Sequence, residues 1–341
     1  MLSTVGGVAA LVAGGGAILL RRRVSRDWIA RSSVIRRDDR DRSSPGDAST
    51  TIVTGGNVGL GYAAAMDLAG LGRRIVLACR DVDAGERAAA AHTASARATT
   101  KSFARGWTCR RWIRVRSFAA EMSTRDRGVR ALGRLEDEDR GRPRDPLLAW
   151  NPLGHFKADT VAPASVERSG IDGRIVIVSL DLVQGGKIDS CVDRDFVHDG
   201  RVPDEGEKRS FAPTGYCDSK LMNMLTCREL AVRLRGSTIT TYAVSPGFCR
   251  SQLGRNVRMP LYKKALAAPI MRLFQRSAEQ GALNIVHAVI EDKEALESGA
   301  MYQDGKIWDD GVKLVETLGD DLQKGLWEIS EELIKEKKRN V

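Results

Sequence analysis

The string GYCDSK places Tyr216 four residues before Lys220. On a helix, positions four apart lie on one face. A tyrosine alone is a poor acid–base group at neutral pH, because its hydroxyl titrates at about pH 10. A nearby ammonium favours the phenolate and brings that proton into range. The pair could therefore exchange a proton with a substrate hydroxyl. The spacing alone is common, and an ordinary surface Tyr and Lys on a helix would read the same. Its weight depends on what surrounds it. Downstream, LMNMLTCRELAVRL has the pattern of an amphipathic helix, and TITTYAVSPG that of a strand running into a turn.

Such a pair needs a scaffold and a redox partner. Upstream, Thr51 to Val53 is a short β-branched run leading into TGGNVGLG, Thr54 to Gly61. YAAAMDLAGLG follows with helical spacing, and then RRIVLACRD reads as a strand ending at Arg80 and Asp81. Strand, glycine-rich turn, helix, strand is the opening of a Rossmann unit. Its glycines let the backbone approach a pyrophosphate at the helix N-terminus. A glycine-rich turn in another α/β fold is the competing reading.

The TGxxxGxG spacing, the ACRD after the second strand and a YxxxK at the usual interval resemble the short-chain dehydrogenase/reductase family, and within it the retinol dehydrogenase group. The resemblance covers about Thr51 to Ala98, Val115 to Glu121, and Asn151 to the C-terminus with gaps. It implies an α/β fold: one Rossmann-type, doubly wound parallel sheet in a single domain. It implies an NADP(H)-dependent oxidoreductase that interconverts a lipophilic alcohol, retinol- or steroid-like, and its aldehyde or ketone. Tyr216 would be the acid–base group, and Lys220 would tune it and hold the nicotinamide ribose. Asn151, in NPLGHF, stands where the family has its relay asparagine, and Pro152 departs from the family's NHLGHF. Gly55, Asn57, Gly59, Leu60 and Gly61 would line the pyrophosphate. Ser245-Pro246-Gly247, with Ser251 beyond, matches the loop that holds the nicotinamide end. Arg80 sits where the family reads the adenosine ribose, and its fork could pair with a 2′-phosphate, which favours NADP(H). Asp81 keeps NAD(H) open, and a merely solvated Arg80 is the plain alternative.

Two departures stand out. The strand GRIVIVS ends in Ser179-Leu180, where the family has two serines and the second is catalytic. Leucine offers no donor to a substrate oxygen. Ser179 is the stand-in, although strand alternation would point it to the opposite face. The loss of such a donor is worth on the order of 10²-fold or more in rate.

The second departure covers about Thr99 to Val166. GWTCRRWIRVR, Gly106 to Arg116, mixes tryptophan and arginine as a nucleic-acid patch would. Twelve arginines and no lysine lie between Arg105 and Arg144. A phosphate-binding surface has no reason to exclude lysine so strictly. Write Gly106 to Arg114 as GGC TGG ACC TGC CGT CGT TGG ATC CGT and start from the last glycine base. The result is Leu-Asp-Leu-Pro-Ser-Leu-Asp-Pro, the family's missing strand end, running straight into VRSFAAE. Asp139 to Pro146 and Ala158 to Ala164 admit similar frame-shifted readings, and Leu180 is one base from serine. On this reading the stretch is an out-of-frame shadow of a dehydrogenase strand. As written, about Thr99 to Trp150 is expected to be loop, leaving the middle of the fold disrupted. Sequencing the transcript across Thr99 to Leu180 should reveal the shifted frame, and a match base for base would refute it.

The 341 residues are 42% hydrophobic and 29% charged with a net charge of +10, a globular balance. Residues 1–20 are uncharged, with five glycines, and precede Arg21, Arg22 and Arg23. Such a run can span a bilayer, with the Arg cluster and the domain in the cytosol. A membrane anchor is therefore expected, with endoplasmic reticulum location, a targeting peptide or disordered end being the alternatives. Residues 21–48 read as a basic linker, 49–315 as the dehydrogenase domain and 316–341 as a charged C-terminal helix. The segment between Pro246 and Ser277 is apolar enough (Met259, Leu261, Phe274) for a lipophilic substrate or a membrane surface, and ordinary core packing would read the same. A homodimer is compatible with the resemblance. No metal site, disulfide framework or nucleic-acid partner is expected. The alternatives are a catalytically impaired dehydrogenase-like chain, which Leu180 favours, and a basic nucleic-acid- or membrane-binding protein.

Overall fold

The computed structural model describes residues 50–79, 81–95, 102–106, 129–134, 173–180, 183, 214–249 and 275–339. The strands are β1 (Thr50–Thr54), β2 (Arg74–Cys79), β3 (Ser102–Gly106), β4 (Val129–Arg134), β5 (Gly173–Val178), β6 (Ile239–Val244), β7 (Met301–Gln303) and β8 (Lys306–Ile307). The helices are α1 (Gly59–Gly70), α2 (Val82–Ser95), α3 (Thr214–Arg233), α4 (Ala278–Ile290), α5 (Asp309–Leu318) and α6 (Asp320–Arg339). One sheet joins all the strands in the order β3-β2-β1-β4-β5-β6-β7-β8. Every pairing is parallel except β7 with β8. This is the doubly wound arrangement, with strand order reversing between β1 and β4.

Parallel strands covered on both faces must be apolar on both. β2 and β5 come near to this, while β1 and β6 carry threonines beside their apolar residues: Val53, Ile75, Leu77, Val176, Val178 and Val244 are buried in one core layer with α1 and α4. Ile175, Ile177, Ile239 and Ala243 turn to the other layer, under α3 and α6. Tyr62 of α1 stacks on His92 of α2 with ring centroids 4.7 Å apart. Burial pushes that imidazole down to about 4, so it is neutral at physiological pH.

The middle of the chain corrects an expectation. Two segments inside the stretch read as loop are strands of the sheet. Ser102–Gly106 pairs with β2, and Val129–Arg134 fills the place between β1 and β5. Unfilled, that place would strand the ladder groups of two apolar strands in the interior. VRALGR supplies Val129, Ala131 and Leu132 at the register positions. The register slips by one residue between Thr50 and Thr51, so Arg130 is the extra residue of a bulge. The C-terminus departs as well. A single charged helix is expected over 316–341, and the chain there closes α5 at Leu318, breaks at Gly319 with φ of +76° and runs on as α6. Residues 1–49, which hold the expected anchor and linker, lie outside the described residues. No described helix is long and apolar enough to cross a membrane.

Candidate active site

Parallel pairing brings the carboxyl ends of the strands to one edge of the sheet. Gly55 follows β1, Asp81 closely follows β2, Ser179 follows β5 and Ser245 follows β6. Hydrogen bonds continue the ladders past the strand ends: Gly55 N to Ala78 O at 3.0 Å, Ser179 N to Val244 O at 2.8 Å, and Ser245 N to Tyr302 O at 2.9 Å. The sequence-predicted glycine turn, nicotinamide loop and serine thus share the edge where doubly wound sheets bind ligands.

At the glycine turn, Gly55 and Gly59 adopt φ of +64° and +60°. A side chain is strained at either. A Cβ built on Gly56 would come within 2.6 Å of Leu77 Cδ2, so only glycine lets the turn lie against β2. On Gly59 it would meet nothing within 4 Å, which leaves open space before the first turn of α1. The α1 N-cap, Val58, makes no side-chain capping bond, and the first turn holds no acidic residue. Backbone donors and the positive helix end thus face that opening. Asn57 and Leu60 flank it half-buried, and Gly61 is buried behind it. These residues fit the pyrophosphate of a dinucleotide. The Asp81 carboxylate is engaged as the cap of α2, accepting Ala84 N–H at 2.9 Å.

Tyr216 and Lys220 lie in the first two turns of α3. Lys220 is 1% exposed, among the largest fully buried side chains. Two bonds tie this part of α3 to the end of β5. Ser179 Oγ donates to the Lys220 carbonyl at 2.9 Å, and Asn223 Nδ2 donates to the Val178 carbonyl at 3.2 Å. Ser179 is fully buried, and its proton is spent on this tether. Leu180, next along, is half-exposed. Asn223 was not singled out from the sequence. Its signal was there: a polar residue three after Lys220, on the buried face of an amphipathic helix.

In the loop after β6, Ser245 Oγ accepts Gly247 N–H at 3.2 Å, and Gly247 turns with φ of +74°. Pro246 is buried there. α4 draws this loop and the glycine turn together at Gly281. A Cβ on Gly281 would collide with Cys249 Sγ, with Leu60 Cδ2 at 2.8 Å and with Pro246 Cβ at 3.3 Å. One backbone position thus abuts both halves of the candidate dinucleotide site. Of the other predicted site residues, Arg80, Asn151, Ser251 and the Tyr216 side chain lie outside the described residues. Among the described residues, no group of three His, Cys, Asp or Glu could hold a metal.

No family model matches the chain. Human retinol dehydrogenase 12 is 31% identical over 271 residues, covering 75% of this chain and 77% of that protein. The chain belongs to the short-chain dehydrogenases/reductases, in their retinol dehydrogenase-like group. Human retinol dehydrogenase 14 is 27% identical over 306 residues, 84% of this chain and 86% of that protein. Two solved structures share the fold of this short-chain dehydrogenase. A short-chain type dehydrogenase/reductase from Mycobacterium marinum superposes with TM-score 0.55 at 17% identity, over 74% of this chain and 92% of that one. A Mycobacterium paratuberculosis protein superposes with TM-score 0.58 at 22% identity, over 86% and 97%. The chain is thus a short-chain alcohol dehydrogenase/reductase, an enzyme class that works with a nicotinamide dinucleotide. The glycine turn and the Pro246–Gly247 loop are the residues present that fit such a cofactor.

Proposed function

We propose that this dehydrogenase interconverts a lipophilic alcohol, retinol- or steroid-like, and its aldehyde or ketone, with NADP(H) as cofactor. The observation that carries this is the tethering of the Tyr216–Lys220 turn to the end of β5, on the sheet edge that also bears the glycine turn. The names of the relatives, retinol dehydrogenases, support the lipophilic substrate. Bound NADP(H) supplies or accepts the hydride. Tyr216 gives the proton to the carbonyl oxygen in reduction and takes it from the hydroxyl in oxidation. Lys220, whose side chain is buried, would tune the phenol and hold the nicotinamide ribose. Asn151 supports the proton relay. Ser251 and Gly247 hold the nicotinamide end.

The preference for NADP(H) rests on Arg80, whose fork suits a 2′-phosphate. The use of the Asp81 carboxylate as a helix cap supports it, because that carboxylate is then occupied within the protein. Arg80→Ala should weaken NADPH relative to NADH by about ten- to a hundredfold, the worth of a charge-assisted contact. Unchanged preference in a dinucleotide titration would reject the NADP(H) assignment. The anchor at residues 1–20 would hold the enzyme at the endoplasmic reticulum membrane, its domain in the cytosol, where a lipophilic substrate is concentrated.

The test is direct. Full-length protein in vesicles is given NADPH and retinaldehyde, and loss of NADPH fluorescence is followed. Oxidation that depends on the aldehyde is expected. Retained NADPH binding with no turnover of retinaldehyde, a steroid ketone or a long-chain aldehyde would sink the function. Turnover is expected to be slow, because Leu180 offers no donor and the Ser179 proton already serves the Lys220 carbonyl.

A further inference from the structure

We propose that the ion pair between Arg276 and Asp304 is a positioning device for the nicotinamide loop, Ser245 to Cys249. This rests on the reading of the chain as a dinucleotide-dependent reductase. The loop has little apolar anchorage at its far end, where Phe248 is 38% exposed. Arg276 holds it instead. Its backbone N–H donates to the Phe248 carbonyl at 2.8 Å, and its Nη1 reaches the Pro246 carbonyl at 3.4 Å. The guanidinium lies directly behind Gly247, where a Cβ would sit 2.9 Å from Cζ. The loop's left-handed turn thus rests on a planar cation.

That cation is itself held. Arg276 Nη1 and Nη2 donate to the two Asp304 oxygens at 2.6 and 2.7 Å, a bidentate pair with both side chains largely enclosed. Asp304 is fixed in turn by Asn284 of α4. Its backbone N–H donates to Asn284 Oδ1 at 2.7 Å, and Asn284 Nδ2 reaches Asp304 Oδ1 at 3.4 Å. Asp304 adopts φ of +53°, the left-handed region that aspartate and asparagine tolerate. An enclosed ion pair is weak evidence for stability, because desolvation offsets its attraction. Its geometry is better explained by what it orients. The chain of contacts runs from α4 through Asn284, Asp304 and Arg276 to the loop carbonyls. The same helix abuts Leu60 of the glycine turn at Gly281. α4 thereby sets the distance between the pyrophosphate end and the nicotinamide end of the site.

The experiment compares two ligands on the full chain: NADPH, and 2′-phospho-ADP-ribose, which lacks the nicotinamide. Asp304→Asn keeps the shape and tolerates the left-handed backbone while removing the charge. It should weaken NADPH about tenfold and leave the truncated ligand within about twofold. Arg276→Lys keeps the charge and loses the fork, and should give the same selective loss. It serves if the first variant does not fold. Equal weakening of both ligands, or of neither, overturns the positioning role. A wild-type chain that binds neither ligand instead overturns the cofactor reading, and this inference falls with it.

Discussion

Leu180→Ser should raise turnover by about 10²-fold or more, a gain in activity from a single substitution. The reason lies at the end of β5. Ser179 is wholly buried and its hydroxyl donates to the Lys220 carbonyl. Side chains alternate along an extended strand, so the next position projects to the other side. That position, Leu180, is half-exposed. A hydroxyl there would hydrogen-bond a substrate oxygen as charge develops on it, which leucine cannot do. The substitution changes a partly solvated side chain, so its cost to stability is small. Steady-state kinetics with NADPH and an aldehyde would measure it. An unchanged kcat would mean that the donor comes from elsewhere in the chain. The converse test is informative: Ser179→Ala should disturb the α3 tether, not supply or remove a substrate donor.

The second large effect is a loss. Tyr216→Phe should lower kcat by about 10²- to 10⁴-fold, the range for removing a general acid–base group. NADPH binding should survive, because phenylalanine keeps the ring and removes only the titrating oxygen. The comparison is cleanest in the Leu180→Ser background, where the starting rate is higher. Turnover that persists in Tyr216→Phe would remove tyrosine from the chemistry.

Much of this was readable from the chain because it is local. The glycine turn declares itself through residues only glycine can replace, as the positive φ at Gly55 and Gly59 shows. β2 and β5 carry continuous apolar runs, Ile75 to Cys79 and Ile175 to Val178, and α4 opens with Ser277 and Gln280 in a reciprocal capping box. β3 and β4 were not readable. SFARG and VRALGR lack the apolar continuity of buried parallel strands, and their neighbours in the sheet decide their conformation. β3 stops at Gly106, where the expected out-of-frame reading would begin. In the site, the Tyr216–Lys220 spacing was legible and the partners that place it were not. The Ser179 tether joins residues 41 apart, and the Arg276–Asp304 pair residues 28 apart. No periodic pattern marks contacts of that kind. The role of Asp81 as a cap was similarly hidden behind its place beside Arg80.

The bulged β4 has a kinetic consequence. It sits between two groups of strands, β3-β2-β1 on one side and β5-β6-β7-β8 on the other. The pairings on both sides of it reach far along the chain: Thr51 meets Ala131, Gly173 meets Ile239 and Ala243 meets Met301. Loop-closure entropy grows only with the logarithm of length, so these closures cost nearly the same. A sheet built from such non-local pairings is expected to form slowly as a whole, with β4 as the described strand that joins the two groups.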